Sequence, residues 1–300
     1  MDLVSHVTVL GGACSRATIV DRCGRAAVDK ALRGGVLVRV ARGRYALATA
    51  SAAVRAAATL GGVLSMRSAA QRHGWGQKEV PDLPDVTFPR THHLPPSARR
   101  LVVPHWSDIA AEDIVDGVTG VRRTLVDCMR MLPLEEALPI VESALRAGDV
   151  TKRELMAIAA AMKGRGRARA MAVSAMASAK SANPYESTLR AYASTIPGLD
   201  VEPQLPIRVS PTRELHPDLA DRSLRIVIEA ESFAWHGETA ALTRDCVRYN
   251  AFTLDGWIVV RFSWYQVMFQ PAYVLEVLQD VVALARRHAN VARGSPVRAA

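Results

Sequence analysis

HPDLADRSLRIVIEAES, residues 216–232, decides the architecture of the C-terminal part of this 300-residue chain. In LRIVIEAES the side chains alternate, so Leu224, Ile226, Ile228 and Ala230 share one face of a strand while Val227, Glu229 and Glu231 share the other. RELHPDLAD, residues 213–221, reads as a second strand, joined to the first as a hairpin through a turn near Asp221, Arg222 and Ser223. Asp218 can then point the same way as Glu229 and Glu231, which lie about 7 Å apart at about 3.3 Å per residue. Three carboxylates converging in a partly buried site repel and raise each other's pKa unless a cation neutralises them. A divalent metal is the simplest resolution, and all-oxygen ligands select a hard ion, Mg2+ first with Mn2+ as a substitute.

Working outward, SANPYESTLRAYASTI opens a helix, with Asn183 as N-cap and Pro184 at the first helical position. Glu186 completes an N-x-x-E capping box and, from the first turn, can also face the metal. Downstream, TAALTRDCVRYNAFTLDG is a helix ended by Gly256, WIVVRFSW a buried strand, and PAYVLEVLQDVVALARRHA a terminal helix. Helix, hairpin, helix, strand, helix predicts a mixed sheet with helices on its faces. His216 and His236, beside the acidic cluster in sequence, are candidates for a base, a proton shuttle or a phosphate contact. Arg244 and Arg248, one helical turn apart, form a basic stripe suited to phosphates, or alternatively pair with Asp245. A metal in such a site holds a phosphodiester oxygen, activates water and stabilises the departing oxygen, so hydrolysis of a phosphate backbone follows. Phe233 and Trp235 are either base-stack wedges or core aromatics.

At the other end, SRATIVDRCG and RAAVDKALRGG read as two short helices closed by glycines, and VLVRVARGRYALA as a basic hairpin turning at Arg42 and Gly43. Together they describe a winged helix over residues 1–50, offering Arg25, Lys30 and Arg33 of its second helix, with Arg42 and Arg44 of the wing, to DNA. Winged helices also dock proteins, so basic residues there are necessary and not sufficient. Residues 51–180 read as an α+β connector with a Pro-rich middle, and 181–300 as the domain carrying the chemistry. The run KGRGRARAMA is a phosphate-touching strap or a solvated helix start.

Composition agrees with several cores and an anionic partner: 49% of residues are apolar, and the formal net charge is +9. Cys14, Cys23, Cys128 and Cys246 are far apart, without metal-ligand spacing, as in a reduced cytoplasmic protein. The N-terminus lacks a signal-peptide pattern, and no stretch of 18 apolar residues occurs, so neither secretion nor membrane insertion is expected.

Taken in order, NPYESTLR, HPDLAD, IEAESFAWHG and RDCVRYNAFTLDGWIVVRFSWYQVM resemble the endonuclease-like domains related to the very-short-patch repair (Vsr) endonuclease, within the PD-(D/E)XK restriction-endonuclease-like fold. The resemblance implies a C-terminal α/β/α domain whose metal is held by Asp218, Glu229 and Glu231, with Glu186 and His236 as further catalytic residues. Two departures stand out: the signature lysine is absent, and Glu231 holds its place where relatives more often carry Asp. GGVLVRVARGRYAL, LSMRSAAQRHG and GVRRTLVDCMR are similar to the N-terminal region of AbiEi-like antitoxins, which implies DNA binding at that end.

The sequence thus predicts an α+β multidomain protein acting as a Mg2+-dependent DNA endonuclease on duplex DNA, and the resemblance to the Vsr endonuclease implies a mismatch or damaged base as target. The alternative is a non-catalytic DNA-binding regulator or antitoxin that keeps a degenerate nuclease fold. RNA cleavage by the same chemistry is a third reading, and the oligomeric state stays open.

Overall fold

The computed structural model describes residues 2–9, 13–231 and 239–294. The chain divides into two compact units, Met1–Leu132 with Ala147–Ala175, and Pro133–Arg146 with Met176–Ala300.

The first unit begins with α1 (Leu3–Val9), β1 (Ala13–Ser15), α2 (Arg16–Cys23), α3 (Arg25–Arg33), β2 (Leu37–Ala41) and β3 (Arg44–Leu47). The strands form an antiparallel sheet in the order β1-β3-β2, which is the winged-helix arrangement. The Ser15 hydroxyl accepts from Thr18 N–H to start α2, and Gly24, at φ +79°, turns the chain directly into α3. Val7, Ile19, Val28, Leu37 and Leu47 close a small core, in which each large aliphatic side chain contributes about 1.5–3 kcal/mol. The sequence reading lacks α1 and β1, whose shortness leaves little periodicity to detect.

The same unit continues with α4 (Ala52–Leu60), β4 (Val63–Leu64), α5 (Met66–Arg72), β5 (Asp85–Phe88), β6 (Val103–Trp106), β7 (Ile114–Val115), β8 (Val118–Thr119) and α6 (Val121–Met131). Five strands order as β6-β5-β4-β8-β7, with parallel and antiparallel pairs. The completely buried Asp85 is hydrogen-bonded in place, with His105 Nε2 at 2.8 Å and Arg67 Nε at 3.1 Å. After α7 (Leu134–Ala147), helices α8 (Lys152–Ala161) and α9 (Arg167–Met176) follow. The KGRGRARAMA run is a helix start rather than a strap, because Arg167 and Arg169 donate to carbonyls of Ala160, Met131 and Leu132.

The second unit holds α10 (Pro184–Ala193), β9 (Glu202–Pro203), β10 (Ile207–Ser210), β11 (Arg213–Leu215), β12 (Leu219–Asp221), β13 (Ile226–Glu231), α11 (Thr239–Leu254), β14 (Ile258–Ser263), α12 (Trp264–Phe269) and α13 (Pro271–Gly294). Its main sheet runs β14-β13-β12-β9; β13 is parallel to β14 and antiparallel to β12. Leu219, Ile226, Ile228 and Phe262 pack one face against α10, α12 and α13. Ala220 and Val227 pack the other with Phe252 of α11, Trp257 and Ile207. The result is the α/β/α layering with a mixed sheet that the order of elements predicts.

Two sequence expectations change here. The connector does not keep α7: Glu142, fully buried, accepts from Arg190 of α10 and, at 2.7 Å, from Ser178 N–H, while Arg146 donates to Ser181 O at 2.8 Å. An arginine and a glutamate buried together hold their helices in one unit, since separating them strands a charge in the interior. Nor is RELHPDLAD one strand: β11 pairs with β10 in a separate two-stranded sheet, and the chain breaks at His216–Pro217–Asp218 before β12. Pro217 has no N–H for a ladder, so a central strand cannot run through it.

Candidate active site

The break at Pro217 leaves Asp218 just ahead of β12, where its polar groups are outside the regular ladder. Leu219 pairs with Ile228, so one step back along the register Asp218 stands opposite Glu229. The two carboxylates replace the missing ladder bonds. Ala230 N–H donates to Asp218 Oδ2 at 2.8 Å, and Asp218 N–H donates to Glu229 Oε2 at 3.2 Å. The turn that closes the hairpin uses a different aspartate: Asp221 is buried and accepts from Ser223 Oγ, Leu224 N–H and Asp200 N–H at 2.7–2.9 Å. Of the two aspartates, Asp218 reaches the cleft and Asp221 does not.

Burial pushes the Glu229 carboxyl up to about 7, the nearby Asp218 adds to the rise, and Arg248 opposes it. Asp218 is raised as well, chiefly by burial, while hydrogen bonds and Arg248 oppose the rise. Arg248 answers much of the like charge: its Nε and Nη2 donate to Glu229 Oε1 at 3.0 and 2.9 Å, and Nη2 donates to His216 O at 2.6 Å. Glu231 lies on the same face two residues on and is held by Arg261 Nε at 2.9 Å and by the Tyr249 hydroxyl. Burial alone would raise Glu231, but these two donors outweigh it and keep the carboxyl below its ordinary range. Arg261 also stacks 4.0 Å over the Tyr249 ring.

Glu186 sits in the first turn of α10 as the capping pattern predicts. Asn183 Oδ1 accepts from Glu186 N–H at 3.0 Å, while Glu186 receives Ala182 N–H at 2.7 Å and Asn183 Nδ2 at 2.8 Å. Burial, with a smaller push from Asp218, lifts its carboxyl to about 7. Capping and proximity to the acidic pair therefore coexist. Its neighbour Tyr185 donates to Phe262 O and is raised by burial and by Asp218 and Glu231.

An open cleft is lined by Asp218, Glu229, Ala230, Glu231, Asp245, Arg248 and Tyr249. Among the described residues no three histidine, cysteine or acidic side chains converge closely enough to hold a metal ion. Asp218 and Glu229 set two carboxylates, the oxygen donors a hard cation takes, opposite each other across a hairpin; both Glu229 oxygens accept hydrogen bonds, from Asp218 N–H and from Arg248. The expected third carboxylate, Glu231, is already tied to Arg261 and Tyr249. His216 is exposed and turned toward Glu214, 3.3 Å away, rather than the acidic pair. His236, Phe233 and Trp235 lie outside the described residues.

The arginines divide. Arg244 is exposed on α11, whereas Arg248 is a counter-ion of Glu229 and not a free phosphate ligand. Arg25, Lys30 and Arg33 on α3 and Arg42 at the wing tip are exposed. Arg44 departs from the wing pattern: its guanidinium covers Gly61 in a cleft shared with Cys14 and Val54. The sequence reading misses Arg261 and Tyr249. A lone arginine in the otherwise apolar IVVRFSW was the available signal, because such a charge needs a partner.

No protein-family model and no curated protein matches this chain. Among solved structures, the crystal structure of the Rv2827c protein from Mycobacterium tuberculosis is similar at 17% identity over 63% of this chain and 78% of that one. The TM-score is 0.31. A likeness that distant carries no argument about function.

Proposed function

We propose that the chain is a Mg2+-dependent endonuclease that hydrolyses phosphodiester bonds in DNA from the cleft between β12, β13 and α11. One observation carries this reading: Asp218 and Glu229 face each other at an open cleft, and burial, with Asp218 adding to it, holds Glu229 at about 7 even against Arg248. Like charges kept together at a cost are the usual mark of a site built for something else. Asp218 and Glu229 would hold Mg2+, or Mn2+ in its place, which when bound would activate water and neutralise charge on the phosphate. Glu186, also near 7, is part protonated at neutral pH and able to give or take a proton beside Asp218. Glu231 keeps Arg261 and Tyr249 in position at the rim. Exposed Arg25, Lys30, Arg33 and Arg42 supply phosphate contacts from the winged helix.

The resemblance to Vsr-like domains supports the same chemistry and points to a mismatched or damaged base as target. The test incubates end-labelled duplexes, perfect, mismatched, deaminated or abasic, and a matched RNA, with Mg2+ or Mn2+ and wild type or Asp218→Ala. Metal-dependent cleavage of one DNA class by wild type alone is the expected result. Cleavage that survives Asp218→Ala would refute it.

A second reading has its own observation. Arg248 and Arg261 already act as counter-ions to Glu229 and Glu231, which suits a regulator that keeps the fold and binds DNA without cutting it. Tight duplex binding with no cleavage of any substrate, by wild type or variant, moves this reading to the front.

A further inference from the structure

The acidic cleft continues past Arg248. A second groove, lined by Arg213 of β11 and Leu215, Arg244 and Val247, adjoins it, and Asp245 and Arg248 line both. Among the described residues neither Arg213 nor Arg244 makes an ion pair, and both guanidiniums line this groove, with Asp245 on the shared lip. Arg248 alone reaches across: its side chain is 31% exposed, lies over the Phe252 ring, and binds Glu229 with two of its nitrogens.

We propose that Arg248 is a phosphate-operated counter-ion: it holds Glu229 in the free protein, and a nucleic-acid phosphodiester seated by Arg213 and Arg244 takes it over, freeing Glu229 for a divalent cation. The inference rests on the nuclease reading and names what assembles its site. Guanidinium forks match phosphate as well as carboxylate, so the exchange replaces one charge-assisted pair by another. An arginine does not deprotonate, so a cation must displace it from Glu229 Oε1 rather than wait for it to titrate. Placing a divalent cation beside an unmoved Arg248 sets two cations on one carboxylate, and an incoming phosphate removes that conflict. Nucleic acid and cation should therefore bind with positive coupling, each tightening the other by the same factor.

The experiment measures Mn2+ binding to the full chain by electron paramagnetic resonance, alone and saturated with a short phosphorothioate DNA duplex, with Mn2+ binding to the duplex itself subtracted. Wild type should bind Mn2+ about tenfold more tightly with the duplex, within the usual range of such couplings. Arg248→Met should bind Mn2+ without DNA as tightly as the wild-type complex does, with little further gain. Arg213→Ser combined with Arg244→Ser leaves Arg248 and Glu229 intact, and should keep the wild-type affinity for Mn2+ alone while losing the gain from DNA. If the duplex leaves Mn2+ affinity unchanged, or Arg248→Met binds no better than wild type, while Glu229→Gln still abolishes binding, the coupling is refuted and the metal site stands. If no form binds Mn2+ with or without duplex, both fall.

Discussion

Replacing Glu229 by glutamine separates strain that a cation relieves from an ion pair that stabilises the fold. The side chain is 5% exposed and faces Asp218 across the hairpin. Its carboxyl is raised from the ordinary 4.5 to about 7, so the folded protein holds that proton more tightly than the unfolded chain does. Because the folded value is the higher one, the proton's contribution is full below the unfolded value and is lost as pH rises through about 7. At about 1.4 kcal/mol per pH unit, the displacement from 4.5 to about 7 amounts to about 3 kcal/mol by neutral pH. Glutamine has the shape of the protonated acid, keeps an acceptor for Arg248 and has no proton to lose. In EDTA, wild type and Glu229→Gln should unfold in urea with similar free energies near about pH 4.5, and the variant should be more stable by about 2–3 kcal/mol near about pH 8. The comparison is made on the transition of the unit that carries Glu229, since two compact units need not melt together. Mg2+ at the higher pH should narrow the gap by stabilising wild type alone. A variant less stable than wild type at high pH, or a gap that ignores pH, would refute the reasoning: Arg248 would then fully neutralise Glu229, leaving no strain for a cation to relieve.

Three further outcomes follow from the same geometry. Glu186→Gln removes a buried charge but keeps an acceptor for Ala182 N–H, so its advantage over wild type should grow as pH rises from 4.5 through about 7, whereas Glu186→Ala also leaves Ala182 N–H without that acceptor and should cost about 1 kcal/mol below pH 4.5; urea melts at both ends of the pH range distinguish them. Asp221→Ala strands Leu224 and Asp200 N–H and the Ser223 hydroxyl and should cost about 3 kcal/mol, while the proposed cleavage, per folded molecule, should match wild type; a thermal melt paired with an activity assay checks both. Glu142→Ala leaves Arg190 buried without its partner and should cost about 3–5 kcal/mol, read in the urea transition of the second unit.

Local signals in the chain carry a definite share of this protein. The alternation of LRIVIEAES fixes which residues of β13 meet α10 and α13 and leaves Glu229 and Glu231 together on the opposite face, because side-chain direction in a strand is set by sequence parity. The start of α10 at Asn183-Pro184 and the paired helices of the winged domain are legible for a similar reason, since caps and glycine turns act over a few residues. What the sequence leaves undecided is how the acidic charge is neutralised. Three clustered carboxylates call for a cation, and along the chain a metal is the simplest one. The fold brings Arg248 from 19 positions away and Arg261 from 30, and Tyr249 from 18, to the same carboxylates. Tertiary structure supplies what holds Asp218 and Asp221, three residues apart with the same chemistry, in their different places: Ala230 N–H binds the first at the cleft, and Ser223, Leu224 and Asp200 tie the second into the turn. It also assigns α7 to the C-terminal unit through Glu142 and Arg190, 48 positions apart. Periodicity and capping are short-range and can be read along the chain, but the partner of a buried charge is chosen by whichever distant element packs against it, and no local pattern encodes that choice.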